Sequence, residues 1–232
     1  MIPGGNRGDG LIYMGAKNLL NKYKVNYSEF YEFEDSQNVR GGTLFVYGGG
    51  GFCTPYHKTP KKMKTYMDKF DKIYILPSSF DCSYKPVKDF IFGLPKNIFI
   101  FCREKYSYRK VLKCAHYKEN VFLDKDTAFY ADFSKWRRKG KGSLNAFRQD
   151  AESTGKYNFE NNIDVSKGGY EEVSILLDII SRYEEIHTDR AHVSITAAML
   201  GKKTFIYPNT YHKLGGIYEY SLSHLPNVKW MG

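Results

Sequence analysis

Short apolar runs of strand-like composition alternate along this chain with runs that have helical spacing. The strand-like runs are residues 43–47, 72–76, 97–102, 121–123 and 204–207. The helix-like runs are residues 11–23, 61–70, 107–116 and 170–183. Two parallel strands need a long connection, which a helix supplies, so this alternation predicts parallel sheets covered by helices. The expected fold class is therefore α/β.

One long segment interrupts the alternation. Residues 131–168 are polar, basic and glycine-containing, with little periodic structure. A segment of this length is usually a functional loop or a connector between lobes. The 232 residues suffice for one large domain or two small lobes. We therefore expect a Rossmann-like N-terminal lobe over residues 1–130, a connector over 131–168 and a compact C-terminal α/β lobe over 169–232.

The formal net charge of +10 favours anionic partners without choosing among them. Phosphates, acidic glycans, nucleic acid and anionic membrane surfaces would all be attracted. The densest basic cluster, residues 135–141, has glycines beside it and no recognised nucleic-acid module around it. We therefore expect no nucleic-acid partner, and a loop that faces solvent, an anionic substrate or a lipid carrier. Peripheral membrane association is compatible with this charge, and the oligomeric state is not determined by it.

The cysteines and the hydropathy pattern bear on location and metal content. The four cysteines, Cys53, Cys82, Cys102 and Cys114, include no C-x-x-C pair, so neither a zinc site nor a thioredoxin motif is indicated. No apolar run has the length of a transmembrane helix, and no signal peptide is visible. A cytoplasmic protein with reduced thiols and no metal is the expectation.

The segment from His187 to His192 concentrates cationic, acidic and imidazole groups at the start of a helix-like run. A polar turn between a strand and a helix is where open α/β sheets present ligand-binding groups. Arg190 would lie near a helix N-terminus, which itself favours anions, and His192 could transfer a proton. The alternative is that these charges only solvate a turn. In either case, His187 is expected to end a strand and to be structural.

Other candidate binding residues lie in glycine-rich loops and at the ends of strands. Asn6-Arg7-Gly8-Asp9-Gly10 precedes a helix and could bind an anion through backbone N–H groups, or serve only as a helix cap. Gly48–Gly51 follows a strand and would allow close approach of a ligand, or form only a tight turn. The remaining strand ends carry Ser78, Ser79, Arg103 and Asp126. A single cleft would collect all of them.

As an ordered series, these residues resemble the polysaccharide pyruvyl transferase family. The stretches that carry the resemblance are Asn6-Arg7-Gly8-Asp9, Gly48 to Phe52, Ile75 to Ser79, Arg103-Glu104 with Ser107, Asp126 to Phe129, Phe147 to Glu152, Thr188 to His192, Gly201-Lys202-Lys203 and Tyr211-His212-Lys213. Each motif is short, but their order and their spread over most of the chain are specific. The stretch from Phe147 to Glu152 is similar to an element of the exopolysaccharide branch.

The resemblance implies a GT-B-like architecture of two Rossmann-like lobes with parallel sheets, the second lobe small, and a site in the cleft between them. It implies transfer of a pyruvyl unit from phosphoenolpyruvate to a sugar, usually as a ketal. Arg103, Arg190 and His192 would hold the carboxylate and phosphate of the donor. His192 would also be the acid or base. Residues expected to add donor or acceptor contacts are Asn6, Gly8, Gly49, Gly50, Ser78, Ser79, Arg148, Asp150 and Lys213.

Two other functional classes remain open on these residues. A GT-B-like glycosyltransferase using a UDP- or GDP-sugar would place the diphosphate in the same cationic site, with Asp9 as the base toward the acceptor. A glycan-binding or scaffold protein would carry a degenerate site. Both transferase hypotheses expect a glycan or lipid-linked saccharide acceptor, an anionic small-molecule donor and no cofactor.

Overall fold

The computed structural model describes residues 4–30, 39–53, 58–150, 152–157, 159–210 and 212–232. Ala151 and Tyr211, which belong to two of the motifs above, lie outside the described residues. The described chain forms two compact units. The first unit contains Val25–Thr127, and the second unit contains Gly4–Lys24 together with Ala128–Gly232.

Helices and strands alternate through most of the described chain. The helices are α1 (Arg7–Lys22), α2 (Lys58–Met63), α3 (Lys85–Phe92), α4 (Lys105–Cys114), α5 (Val173–Ser181), α6 (Ala191–Met199) and α7 (His212–Ile217). The strands are β1 (Thr43–Val46), β2 (Gly49–Phe52), β3 (Lys72–Phe80), β4 (Ile98–Cys102), β5 (Val121–Leu123), β6 (Ser143–Asn145), β7 (Glu185–Thr188), β8 (Lys203–Ile206) and β9 (Val228–Trp230). Among the residues described, no helix combines the length and the apolar character needed to cross a bilayer.

The sheet of the first unit is entirely parallel. Its strand order is β1-β3-β4-β5, and β2 pairs with the C-terminal half of β3. Side chains alternate between the two faces of each strand. One face carries the buried aliphatic core, including Leu44, Ile73 and Ile100. The other face carries a ladder of half-buried aromatic rings, in which Tyr74 stacks on Phe99 with 4.8 Å between the ring centroids.

The second unit is built on its own parallel sheet, in the order β6-β7-β8-β9. Helices α1, α5 and α6 pack together, and their apolar side chains share one core with Ile186 and Ile206 of the sheet. Leu11, Leu176 and Ile195 are fully buried in this core. The predicted α/β class with parallel sheets in two lobes is confirmed.

The division of the chain differs from the predicted boundaries at two places. Helix α1 belongs to the second unit, because Leu11 enters its core and Asn6 forms an antiparallel bridge with Gly169. Strand β6 lies within residues 131–168, which were expected to form a connector. The second unit is therefore larger than the small lobe that was predicted, because it recruits a helix from the start of the chain.

Close backbone approach, rather than side-chain packing alone, holds α1 against residue 170. A Cβ atom added at Gly10 would lie 2.1 Å from the carbonyl oxygen of Tyr170. By contrast, a Cβ at Gly215 in α7 would meet only Trp230, at 3.8 Å. Gly10 is thus required by its neighbour, whereas Gly215 is not.

We expect Gly10→Ala to destabilise the second unit, although alanine is the better helix former by about 1 kcal/mol. Overpacking of a close contact costs about 1–3 kcal/mol beyond that gain. The thermal midpoint should fall by roughly 2–4 °C for each kcal/mol lost. Gly215→Ala is the matched control, and calorimetry should find it neutral or stabilising. Equal midpoints for the two variants would contradict the proposed close contact.

Candidate functional site

The turn after β7 is fastened to the segment that follows β6. The Thr188 hydroxyl donates to the carbonyl oxygen of Ala146 at 2.7 Å and accepts from the backbone N–H of Arg190 at 3.1 Å. The Asp189 carboxylate accepts from the backbone N–H of Arg148 at 2.9 Å. Thr188 and Asp189 are buried. These bonds fix the backbone from which the side chains of Arg148 and Arg190 project.

Arg190 is the N-cap residue of α6 and is only 8% exposed. Its Nη2 donates to Asp150 at 2.9 Å and to Asp164 at 2.6 Å. Its Nε is buried and has no hydrogen-bond partner among the described residues. A buried donor without a partner is uncommon in proteins, which makes this nitrogen a candidate contact for a ligand.

Arg148 and Lys213 extend this cluster through two further carboxylates. Arg148 holds Asp150 through Nε at 2.8 Å and Nη2 at 3.0 Å, and it pairs with Glu152 through Nη1. Lys213 contacts Glu152 at 3.2 Å. We call this set of Arg148, Arg190, Lys213, Asp150, Glu152 and Asp164 the ion-pair network. Its three cations face three carboxylates, so it carries no excess of positive charge.

The protonation states in and beside the network follow from burial and from these contacts. Partial burial disfavours the ionised form of Asp150, but the hydrogen bond from Arg148 and the charge of Arg190 outweigh it and hold the pKa well below its usual value. Burial raises the pKa of Asp189 despite the N–H of Arg148. Asp150 is therefore ionised throughout the physiological range.

The N-terminus of α1 lies beside His192. Asn6 caps the helix, since its Oδ1 accepts from the N–H of Gly8 at 2.8 Å, and Asp9 accepts from the N–H of Asn6 at 2.9 Å. A Cβ added at Gly8 would lie 2.6 Å from Nδ1 of His192. Asn6 and Asp9 therefore form a capping box, and Gly8 allows the imidazole to approach. Their roles in binding or catalysis stay predictions.

The segment 164–166 connects this helix start to Arg190. Arg7 donates from its backbone N–H to the carbonyl oxygen of Ser166 at 3.3 Å and from Nη1 to that of Val165 at 3.4 Å. The next residue back along the chain is Asp164, which holds Arg190. Asp164 was not predicted as a site residue. A single aspartate in a polar, aperiodic segment belongs to no pattern that would distinguish it.

Arg103, Ser78 and Ser79, which were predicted as site residues, are buried within the first unit. Arg103 is 1% exposed; its Nη1 lies 2.6 Å from Asp126 and its Nε donates to Ser79 at 2.9 Å. The Ser78 hydroxyl donates to the carbonyl oxygen of Leu76 at 2.8 Å. The contacts of Arg103 join the C-terminal ends of β3 and β4 to the segment after β5. The site roles of Arg103, Ser78 and Ser79 stay predictions.

Two glycines predicted to allow the approach of a ligand, or else to form only a tight turn, lie in a strand. Gly49 and Gly50 belong to β2, which pairs with β3 so that Gly49 lies beside Ser78. Gly49 has a φ of +132°, a conformation that favours glycine. The chain therefore continues the sheet through this stretch, and contact of Gly49 or Gly50 with a ligand is a prediction.

Several other predicted groups have clear structural contacts. His187 stacks on Phe205 with 4.6 Å between the ring centroids, and its Nδ1 lies 3.1 Å from the hydroxyl of Tyr207. Lys202 is 4% exposed, and its Nζ donates to the carbonyl oxygens of Arg138 and Ser181, both at 2.8 Å. Within the described part of the chain, no group of three or more His, Cys, Asp or Glu side chains is arranged to hold a metal ion.

The fold is similar over the whole chain to that of a solved structure. A crystal structure of a functionally uncharacterised protein from Klebsiella pneumoniae subsp. pneumoniae NTUH-K2044 matches with a TM-score of 0.84 and 26% sequence identity. The match covers 100% of this chain and 91% of that chain. A search among curated proteins finds no match.

Comparison with family models identifies the chain more closely. The model described as polysaccharide pyruvyl transferase matches residues 6–211. The matched region includes α1, the buried group around Arg103 and most of the ion-pair network. The family implies a transferase with a role in glycan biosynthesis. The expected resemblance is confirmed: the chain belongs to the polysaccharide pyruvyl transferase family.

Proposed function

We propose that this protein transfers a pyruvyl group from phosphoenolpyruvate to a sugar of a glycan or lipid-linked saccharide, forming a ketal. The observation that carries the proposal is the buried Nε of Arg190 at the N-terminus of α6, which has no hydrogen-bond partner in the described part of the chain. His192 is the second residue of the same helix and lies against Gly8. The second unit thus combines an anion-binding donor and a group able to transfer a proton.

The donor's two anionic groups fit the chemistry of this helix start. Carboxylate and phosphate oxygens match the planar fork of an arginine. The side chain of the N-cap residue Arg190 makes no capping hydrogen bond to α6 among the described residues, and the dipole of the helix adds to the attraction of an anion at this end. Hydrogen bonds to charged groups are worth about 1.5–3 kcal/mol each. Arg190 would hold one anionic group while the helix start stabilises the departing phosphate.

The reaction delivers one proton to carbon and removes one proton from each of two sugar hydroxyls. Protonation of the donor's methylene carbon converts it to a methyl group and leaves the adjacent carbon electrophilic. One sugar hydroxyl adds to that carbon and loses its proton. A second hydroxyl then displaces phosphate, which carries away the other proton, and the ketal ring closes. We assign to His192 the role of the acid that protonates the methylene carbon.

We expect the purified protein, given phosphoenolpyruvate and a suitable acceptor, to release inorganic phosphate in proportion to a mass gain on the acceptor. A panel of sugars and glycan fragments, followed by mass spectrometry, measures both. The control is the same panel with UDP- and GDP-sugars. Release of UDP or GDP with transfer of a hexose, and no use of phosphoenolpyruvate, would identify the protein as a glycosyltransferase instead.

Arg190→Lys should raise the KM for phosphoenolpyruvate by about 10- to 100-fold, because lysine keeps the charge but loses the fork, at about 1.5–3 kcal/mol. The KM for the acceptor should not change. Arg182→Lys is the matched control, since Arg182 pairs with Asp178 on the surface of the same unit. An unchanged donor KM in Arg190→Lys would remove Arg190 from the donor site.

His192→Gln should lower kcat by about 10²- to 10⁴-fold, the usual contribution of general acid–base catalysis, with little change in either KM. Glutamine keeps polar atoms near Gly8 but cannot deliver a proton at neutral pH. His224→Gln serves as the control, since this histidine lies in a turn of the same unit, outside the ion-pair network. Steady-state kinetics with both variants measures the effect. A kcat within threefold of the wild type would exclude His192 as the acid.

A further inference from the structure

Two aspartates share one nitrogen atom of Arg190. Nη2 lies 2.6 Å from Asp164 and 2.9 Å from Asp150. The two carboxylates differ sharply in exposure, since the Asp164 side chain is 6% exposed and the Asp150 side chain is 36% exposed. The same guanidinium therefore has one buried partner and one partner that water reaches.

Asp164 is fixed by backbone groups as well as by Arg190. Its Oδ2 accepts from the N–H of Gln149 at 3.1 Å, and its Oδ1 accepts from the N–H of Ser166 at 3.3 Å. The carbonyl oxygens of the next two residues hold Arg7 at the start of α1. Removing this carboxylate from Arg190 would thus disturb two loop segments and a helix start.

Asp150 is held mainly by other side chains. Two nitrogens of Arg148 donate hydrogen bonds to its carboxylate, and Arg190 donates a third. A carboxylate between two guanidinium groups has the surroundings that a carboxylate ligand would seek. Because Asp150 is partly solvated, water can replace the contacts of its Oδ2 when the carboxylate turns away from Arg190. Its Oδ1, which accepts from Nε of Arg148 at 2.8 Å and from the N–H of Glu152 at 3.1 Å, can stay in place.

We propose that Asp164 is the positioning residue of Arg190, and that Asp150 is an internal carboxylate which an anionic ligand displaces from Arg190. Asp164 keeps the guanidinium in place before and after binding. Asp150 occupies Nη2 until the ligand's carboxylate or phosphate takes its position. The assignment rests on the proposed function only for the identity of the ligand.

The matched substitutions Asp164→Asn and Asp150→Asn test this division of roles. Each removes one negative charge beside the same nitrogen, so simple Coulomb attraction predicts that both variants bind an anion more tightly. Our proposal predicts opposite effects. Asp150→Asn should bind more tightly by about three- to tenfold, since a competing charged partner is lost, and Asp164→Asn more weakly by about tenfold, each tenfold being 1.4 kcal/mol.

Isothermal titration with phosphoenolpyruvate measures these affinities. Sodium pyrophosphate is titrated in parallel, so that the signs can be compared even if phosphoenolpyruvate is not the donor. Asp178→Asn removes the same charge from a surface pair in the same unit and should leave both affinities unchanged. A shift in the same direction for Asp150→Asn and Asp164→Asn overturns the proposal. So does a failure of both anions to bind the wild type and Asp150→Asn.

A second readout requires no ligand. The Nε–H of Arg190, identified by its loss in Arg190→Lys, should give an ordered and slowly exchanging NMR signal in the wild type and in Asp150→Asn. In Asp164→Asn the signal should broaden or exchange faster, by about tenfold or more, because the guanidinium is no longer fixed. An unchanged signal in Asp164→Asn overturns the positioning role. If the NMR contrast and the pyrophosphate signs hold but phosphoenolpyruvate does not bind, the proposed function fails and the present inference stands.

Discussion

The hydrogen bonds between residues 146–148 and the turn after β7 are the constraint on which the candidate site depends. They join two parallel strands beyond the point where the ladder ends, and they use buried groups of Thr188 and Asp189. A buried polar group without its partner costs about 1–3 kcal/mol, so this turn has few alternative conformations. Arg148 and Arg190 therefore leave the backbone at fixed positions, and the two side chains can meet on one carboxylate, that of Asp150.

Charge balance, rather than net charge, determines what this region can bind. The chain carries a formal charge of +10, yet the three cations of the ion-pair network face three carboxylates. A ligand here meets a polar array whose positive charges are already neutralised, unlike a preformed cationic pocket. The excess charge of the protein acts elsewhere, on the rate at which anions approach its surface. Affinity must come from the few donors that the network leaves available, of which Nε of Arg190 is the clearest.

The sequence predicted the elements whose signals are local and missed those that depend on distant partners. Alternating strand-like and helix-like runs identified the parallel sheets, and the short strand β5 matches its predicted bounds. Strand β6 has three residues in a polar segment, too few to show a period of two. The membership of α1 in the second unit follows from contacts with residues about 160 positions away, on which its own helical spacing carries no information. Arg190 was predicted because a cation at the start of a helix is a local signal for anion binding. Nothing near Asp164 in the sequence marks it as the buried partner of Arg190.

The ion-pair network suits an anionic ligand through exchange rather than through attraction alone. Moving Asp150 from Arg190 into water costs the contact but restores hydration to a side chain that is already 36% exposed. A ligand carboxylate arriving at Nη2 replaces that contact with one of the same kind, so the charge balance around Arg190 is preserved. The same exchange at Asp164 would leave a buried carboxylate without its cation if the side chain stayed in place. If the side chain moved away, two backbone N–H groups would lose their acceptor. The difference in burial between two aspartates thus separates a partner that a ligand can replace from one that it cannot, and it gives Arg190 a fixed position in both states.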